Sequence, residues 1–171
     1  ENIYMIPLQM RGLFFGSCLI LAFGLLQDLL EMKWPIRYTL QISVAAIAYY
    51  YGFHLEPLSV SNADTLFPVL LSFSLTVLWI IGLTNLFTLL NRLTDVLTPF
   101  MLLITLSLMF VAFFLDQYRT IVVCCLLSGS LLGMLSHGST RLNLGGTGTF
   151  FLGFVLAVTT LQSHMQGTTL L

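Results

Sequence analysis

Polar residues recur at three- and four-residue spacings where a long apolar run ends, between Trp79 and Asp95. These residues are Asn85, Thr88, Asn91, Arg92, Thr94 and Asp95. On a helix such positions gather mostly on one flank, so an otherwise apolar rod becomes amphipathic at its inner end. A polar ridge costs free energy in a membrane unless it faces a water-filled cleft or other protein. The ridge predicts either a site for a polar ligand or an interfacial segment packed against neighbouring helices.

A second polar stretch, Gln27–Arg37, carries two acidic residues at helical spacing. Asp28 and Glu31 are three residues apart and share one face if the helix continues that far. An aspartate at the mouth of a membrane helix can hold Mg²⁺ through its hard oxygen ligands. More commonly it pairs with a neighbouring base, and Lys33 and Arg37 are available.

A third polar stretch, Ser136–Thr149, ends in a glycine-rich turn that leads straight into an apolar segment. Backbone N–H groups of such a turn can cradle an anion at a helix N-terminus, and Thr147 or Thr149 can cap that helix. The turn has no lysine and is therefore not a P-loop. A glycine turn that merely starts a membrane helix is the commoner occurrence.

The composition is that of an integral membrane protein. Of the 171 residues, 57% are hydrophobic and only 8% are charged, and the mean hydropathy is +0.97. Soluble chains are about 25% charged, so this chain could not cover a water-facing surface. The net charge of -1 and the absence of a basic run exclude nucleic acid as a partner.

The cysteines and histidines do not indicate a disulfide framework or a metal site. All three cysteines lie in apolar runs and are interpreted as small buried hydrophobes. The three histidines lie far apart and lack the spacings that define metal sites. These residues are Cys18, Cys124, Cys125, His54, His137 and His164. The chain begins at Glu1 without a basic n-region, which predicts a fragment or a processed product rather than a signal peptide.

Six apolar segments approach the roughly 20 residues that a bilayer-spanning helix needs. They run roughly Gly12–Leu26, Tyr38–Phe53, Leu66–Leu83, Leu97–Leu115, Ile121–Leu135 and Phe150–Gln162. No repeat or low-complexity linker divides them. The sequence therefore predicts one all-α domain, residues 1–171, built as a polytopic transmembrane helix bundle with about six spans.

Six crossings would alternate sides and sort the loops into two sets. The first set comprises Gln27–Arg37, Asn85–Thr98 and Ser136–Thr149. It carries four basic residues, against Arg11 and Arg119 in the second set. Because cytoplasmic loops carry the excess of Lys and Arg, the first set is predicted to be cytoplasmic. The three polar stretches then share one membrane face, where they either build one site or contact nothing in particular.

These stretches agree in order and spacing with the motifs of one enzyme family. GLLQDL at residues 24–29 resembles its G-x-x-D-D stretch, which a basic residue and Gln41 follow at a familiar distance. LWIIGLTN at 78–85, running on to Asp95, resembles W-x-x-x-x-T-N-x-x-N-x-x-D-G-x-D-G. LGGTGTFFLGF at 144–154 resembles M-G-D-T-G-S-x-F-L-G-F. The family is that of the bacterial polyprenyl-phosphate N-acetylhexosaminyl-1-phosphate transferases, and the resemblance covers nearly the whole chain.

The resemblance implies transfer of a sugar phosphate from a UDP-N-acetylhexosamine to polyprenyl phosphate, with Mg²⁺, for cell-envelope polysaccharide synthesis. It implies a multi-pass protein of the bacterial plasma membrane with its site on the cytoplasmic face. It places Asp28 at a catalytic position and Asp28 with Asn91 at the metal. Asp95, one residue beyond the motif's last aspartate, is the second catalytic candidate, in a rearranged site. The substrate-binding positions it implies are Gln27, Arg37, Asn85, Thr88, Arg92, Gly145, Gly146, Thr147 and Gly148. A homodimer or a different membrane partner is left open, and the chain lacks the family's opening and closing helices.

Several acidic residues of the family motifs are replaced here. Gln27 stands for the first of the paired aspartates, Asn91 for the metal-binding aspartate, and Thr94 for the aspartate that follows it. Gly146 replaces the aspartate of G-D-T-G, and Arg92 replaces a glycine. An amide is a neutral and weaker ligand for Mg²⁺ than a carboxylate, whereas a guanidinium can pair directly with phosphate oxygens.

Two hypotheses follow from these replacements. In the first, the chain is a catalytically degenerate member, a pseudoenzyme that acts by binding a lipid phosphate or a partner. In the second, it is an active Mg²⁺-dependent transferase with a metal site rearranged around Asp28 and Asp95. Against the second, Asp95 lies one residue beyond Thr94, which rotates it about 100° around a helix.

Overall fold

The computed structural model describes residues 6–30, 34–55, 66–93, 97–136 and 145–168. Over these ranges the chain forms six helices and no strand. The helices are α1 (Ile6–Leu30), α2 (Trp34–Tyr50), α3 (Leu66–Leu93), α4 (Leu97–Phe114), α5 (Tyr118–Ser136) and α6 (Gly145–Thr168). The predicted all-α helix bundle is confirmed.

Five of these helices are long and apolar enough to cross a membrane. The exception is α2, whose 17 residues make about 26 Å of helix against a hydrocarbon core of roughly 30 Å. The multi-pass membrane protein is confirmed, with five candidate spans rather than six in the described part of the chain. The inner end of the bundle is defined below as the end at which α1 finishes and α6 begins.

Two helices extend farther into the polar stretches than the sequence indicated. α3 continues to Leu93 instead of ending near Leu83, so Asn85, Thr88 and Asn91 lie on a helix and not in a loop. Two of these side chains are satisfied within the helix, because Asn85 Nδ2 donates to Ile81 O at 2.8 Å and Thr88 Oγ1 to Thr84 O at 2.7 Å. α6 begins at Gly145, so the glycine-rich turn forms its first turn.

The centre of the bundle is α6, although it is the least apolar of the candidate spans. Lipid tails are as apolar as leucine, so burial in a membrane follows close packing of small residues and not hydrophobicity alone. Gly153 of α6 lies against α3, where an added Cβ would be 3.0 Å from Thr84 Cα. α1 and α3 therefore flank α6 closely, α2 packs against both of them, and the α4–α5 hairpin lies alongside.

The outer end of α2 is fixed to α3 by the segment that follows it. Gly52 adopts a φ of +92°, which glycine tolerates, and Phe53 N donates back to Ala48 O at 3.1 Å. Leu55 is then held by α3: its N–H donates to Thr76 Oγ1 at 3.1 Å, and its carbonyl accepts from Ser72 Oγ at 2.6 Å. This attachment sets the direction in which α2 runs toward the inner end.

The interpretation of the cysteines is wrong for two of the three. Cys124 is buried, but Cys18 and Cys125 are exposed on helix faces that would meet lipid, and all three are free thiols. Small residues on α5 also face outward, because a Cβ added at Gly129 or Gly133 would meet nothing within 4 Å. Neither glycine mediates a helix contact within the described residues.

Candidate functional site

Four helix ends meet at the inner end of the bundle. The last turns of α1 contact the first turn of α6 through Asp28 and Thr147, and the inner part of α3 reaches the same turn through Asn91. The first turn of α2 joins α3 through Arg37 and Asn85. The described parts of the polar stretches predicted to share one membrane face lie together in space. The space between these helix ends is called the inner cleft below.

Asp28 is bound to the N-terminus of α6. Its Oδ2 accepts a hydrogen bond from the Thr147 backbone N–H at 3.0 Å and another from Thr147 Oγ1 at 2.5 Å. The first backbone N–H groups of a helix have no partner within it, and the helix dipole favours negative charge there. In this structure Asp28 therefore serves as the anion at the start of α6.

Because residue 146 is a glycine, the Asp28 carboxylate has room to approach the first turn of α6. A Cβ added to Gly146 would overlap Asp28 Oδ1. The aspartate that the family motif carries at this position could not coexist with Asp28 in its present conformation. The contact between Asp28 and α6 therefore depends on the glycine that replaces the motif's aspartate at position 146.

A second glycine brings α1 close enough for this contact. A Cβ added to Gly24 would lie 2.8 Å from Thr147 Cα and 3.0 Å from Thr147 Cγ2. Carbon atoms in ordinary contact are about 3.5–4.0 Å apart, so a larger residue at position 24 would separate the two helices. Gly24 lies one helical turn before Asp28, and it sets the spacing at which the carboxylate reaches α6.

Asn91 approaches the same turn from the other side. Its Nδ2 lies 3.5 Å from Gly145 O, at the long limit of a hydrogen bond. Gly145 itself has a φ of +65°, a conformation that favours glycine. Thr149 does not cap α6 as the sequence suggested, because its hydroxyl donates back to the carbonyls of Gly145 and Gly146 at 2.7 and 2.9 Å.

Arg37 is the cation of the inner cleft whose side chain the structure describes. Its Nη2 donates to Asn85 Oδ1 at 2.9 Å, and its Cζ lies 4.7 Å from the centroid of the Phe150 ring, a cation–π contact. Asn85 Nδ2 in turn donates to Gln41 Oε1 at 3.0 Å. Three helices, α2, α3 and α6, therefore hold the guanidinium in place.

A small cavity lies beside this network, between α1 and α2. Its volume is about 20 Å³, and its polar lining comes from Gln27, Arg37 and Gln41. The rest of the lining is apolar, from Ile20, Phe23, Gly24, Leu40, Val44 and Phe150. A cavity of this size accommodates a single water molecule or one ligand atom.

A larger apolar groove follows the same two helices toward the outer end. It encloses about 430 Å³ and is lined by Phe15, Leu19, Ala46, Ile47, Tyr50 and Tyr51. Its lining continues the helix faces that line the small cavity, since Leu19 lies one turn before Phe23 on α1 and Ile47 one turn after Val44 on α2. The seam between α1 and α2 is therefore polar at the inner end and open and apolar beyond it.

Comparisons with known proteins agree with this architecture. The family model described as "Glycosyl transferase family 4" matches residues 10–164 of the chain. The chain belongs to glycosyl transferase family 4. It is 23% identical over 165 residues to the "Probable undecaprenyl-phosphate N-acetylglucosaminyl 1-phosphate transferase" of Bacillus subtilis (strain 168), a match that covers 95% of this chain. The match covers 46% of that relative, so the chain spans about half of its length. No solved structure matches the chain at a significant level.

The glycosyl transferase family 4 resemblance implies Mg²⁺, but the described donors of the inner cleft do not fit that ion. Asp28 is the one described carboxylate there, and its Oδ2 already accepts two hydrogen bonds. Asn91 turns its nitrogen, not its oxygen, toward Gly145. In the part of the chain that the structure describes, no three His, Cys, Asp or Glu side chains converge on one point. Mg²⁺ prefers an octahedral shell of hard oxygens, which this set does not supply.

The remaining predicted positions divide into three groups. Gln27 lines the small cavity, and Gly145 and Thr147 lie in the contacts above. Thr88 is buried and donates within its own helix, and Gly148 lies in the first turn of α6. The side chain of Arg92, and Thr94 and Asp95 altogether, lie outside the described residues, so the catalytic role of Asp95 stays a prediction.

One residue of the inner cleft was missing from the predicted site. Gln41 is buried, accepts from Asn85 and lines the small cavity. It lies four residues after Arg37, hence on the same face of α2. Its place in the first motif, four residues after a basic residue, was the signal available in the sequence.

Proposed function

We propose that this chain is a catalytically degenerate member of glycosyl transferase family 4 that binds a polyprenyl phosphate. Its phosphate would lie in the inner cleft beside Arg37, and its hydrocarbon tail would follow the apolar groove between α1 and α2. The site would face the cytoplasm of a bacterial plasma membrane, as the distribution of basic residues predicts.

The observation that carries this proposal is the position of Arg37. Asn85 and the Phe150 ring fix the guanidinium at the polar end of a seam whose remaining length is apolar. A guanidinium binds phosphate oxygens through paired hydrogen bonds and needs no metal ion to do so. A ligand with an anionic head and a long apolar tail matches both parts of the seam.

The absence of turnover is proposed from the acidic residues. The carboxylate of Asp28 is committed to α6, and amide or hydroxyl groups stand at Gln27, Asn91 and Thr94. Few negatively charged side chains would therefore be available to bind a divalent cation together with a bound diphosphate.

Binding of a polyprenyl monophosphate to the purified protein in lipid nanodiscs tests this function. Arg37→Ala should weaken binding at least tenfold, because a charge-assisted hydrogen bond contributes about 1.5–3 kcal/mol. Arg11→Ala is the matched control, since Arg11 is exposed and about 26 Å from Asp28 along α1. Equal binding of the polyprenyl phosphate and of the uncharged polyprenol would refute the proposed phosphate site.

The alternative function is an active Mg²⁺-dependent N-acetylhexosamine-1-phosphate transferase. The convergence of Asp28 and Asn91 on the Gly145–Thr147 turn supports it, because the two side chains would face a common cation if both rotated into the cleft. Mg²⁺-dependent release of UMP from a UDP-N-acetylhexosamine, abolished by Asp28→Ala, would establish this alternative. No UMP above the rate of the Asp28→Ala variant is expected if the chain only binds.

A further inference from the structure

The orientation of the amide groups next to Arg37 is determined by the arginine. A guanidinium has only donors, so Asn85 must present its Oδ1 to Arg37 and its Nδ2 to the other side. The bond from Asn85 Nδ2 to the carbonyl of Ile81, 2.8 Å long, confirms this orientation. Gln41 can then only accept from Asn85, which it does through Oε1.

This chain of hydrogen bonds leaves the amino group of Gln41 without an acceptor. Gln41 is 6% exposed, and its buried Nε2 has no hydrogen-bond partner among the residues that the structure describes. The side chain lines the cavity of about 20 Å³ next to Arg37. A buried donor without a partner is costly, and native proteins normally satisfy such groups with protein, water or ligand. The cavity has room for one oxygen atom that would do so.

The polarity of this network specifies the kind of atom that fits. Arg37 and the Nε2 of Gln41 are donors, and the wall of the cavity opposite them is apolar except for Gln27. A ligand must therefore bring an acceptor, ideally an anionic one, because the charge on Arg37 polarises the hydrogen bonds that lead to Gln41. A phosphate oxygen meets this requirement, whereas an ammonium group does not.

We infer that Gln41 is a specificity-determining residue that donates a hydrogen bond to one phosphate oxygen of the bound lipid, one helical turn deeper than Arg37. This inference rests on the proposed function and adds a second, uncharged contact to it. Gln41 selects a phosphate head over a hydroxyl head, since an oxygen that carries negative charge is the stronger acceptor.

Two substitutions separate this role from packing. Gln41→Glu keeps the shape of the side chain and its acceptor for Asn85 but replaces the donor in the cavity with an anionic oxygen. Gln41→Met keeps the approximate volume and removes both the donor and the acceptor for Asn85, whose Nδ2 keeps its bond to the carbonyl of Ile81. Affinity for a polyprenyl monophosphate should fall about tenfold or more in Gln41→Met and further in Gln41→Glu, while binding of the polyprenol stays unchanged. Ser43→Ala is the control on the same helix, because Ser43 is exposed and donates to Thr39 O; its affinity should equal that of the wild type.

The outcomes distinguish this inference from the proposed function. If the wild type binds the phosphate, Arg37→Ala weakens it and both Gln41 variants match the wild type, the inference fails and the proposed function stands. A trapped water would then be the partner of Gln41. Equal losses for the phosphate and the polyprenol would indicate a packing defect and would also overturn the inference. If the wild type does not prefer the phosphate over the polyprenol, the proposed function itself fails.

Discussion

The contact between α1 and α6 at Gly24 gives the sharpest test of how the inner cleft is assembled. Gly24→Ala places a methyl group 2.8 Å from Thr147 Cα, which is backbone and cannot turn aside. To restore a contact of about 3.5 Å, the two helices must separate by about 0.7 Å at this point. The same movement lengthens both hydrogen bonds from Thr147 to Asp28.

The expected cost follows from comparison with a glycine that touches nothing. Overpacking a well-packed contact costs about 1–3 kcal/mol, whereas replacing a helical glycine by alanine gains up to about 1 kcal/mol. Gly82→Ala should show the gain alone, because a Cβ there meets nothing within 4 Å. Since the helix-propensity gain is common to both variants, their difference isolates the contact at about 2 kcal/mol.

Thermal unfolding in detergent or nanodiscs, followed by intrinsic tryptophan fluorescence, measures this difference. For a chain of this length 1 kcal/mol corresponds to roughly 2–4 °C in Tm, so Gly24→Ala should unfold about 4–8 °C below Gly82→Ala. Gly24→Ala should also weaken binding of the polyprenyl monophosphate, because Gly24 lines the small cavity. Equal Tm values for the two variants would refute the close approach of α1 to α6.

Three further predictions test other contacts. Gly146→Ala should displace the Asp28 carboxylate, so Gly146→Ala and Asp28→Ala should have non-additive effects on the free energy of unfolding, and additive effects would contradict the contact. Thr76→Val should lower the free energy of unfolding by about 1–2 kcal/mol, because the Leu55 N–H loses its acceptor. Ser74→Ala, on the exposed face of α3, is the control and should change little in the same urea or thermal titration. Asn85→Leu should lose the hydrogen bonds to Arg37 and Gln41 and reduce polyprenyl phosphate binding at least as much as Gln41→Met. Normal binding by Asn85→Leu would rule out this hydrogen-bond network as part of the site.

The helices could be predicted from the sequence because each of them is marked by one long apolar run. Apolar runs of membrane length identify the spans, and the same runs predicted the bounds of α4 to within one residue, Leu97–Phe114 against Leu97–Leu115. The inner ends were harder to predict. The end of the apolar run assigned Asn85 and Thr88 to a loop, whereas their spacing predicted an amphipathic helix end. The second prediction is confirmed, since α3 continues to Leu93 and both side chains bond back to the preceding turn.

The burial of each helix could not be predicted from hydropathy. α6 carries the glycines and threonines of the cleft and is the most buried span, whereas the more apolar α4 and α5 expose large side chains such as Phe113 and Leu126. In lipid an apolar side chain gains no hydrophobic free energy by facing protein, so close packing of small residues decides which helix is central. For the same reason the apolar surroundings of Cys18 and Cys125 did not imply burial.

The gathering of Asp28, Asn91 and the Gly145–Thr147 turn was predictable from the alternation of crossings, but the direction of each side chain was not. Whether Asp28 faces the cleft or the start of α6 depends on the space that Gly146 leaves, which only the packing of α1 against α6 reveals. Gln41 shows the same limit, because the sequence does not reveal that the described part of the folded chain supplies no acceptor for its Nε2.

The central claim is that the inner cleft binds a phosphate head through Arg37 and its neighbours and not through a bound metal ion. The most direct measurement is the affinity of the wild-type protein for a polyprenyl monophosphate in nanodiscs, determined once in EDTA and once in millimolar Mg²⁺. Binding through protein donors predicts dissociation constants that agree within about twofold, since no step of recognition uses the cation. Binding that appears only with Mg²⁺, or tightens tenfold or more in its presence, would contradict the claim.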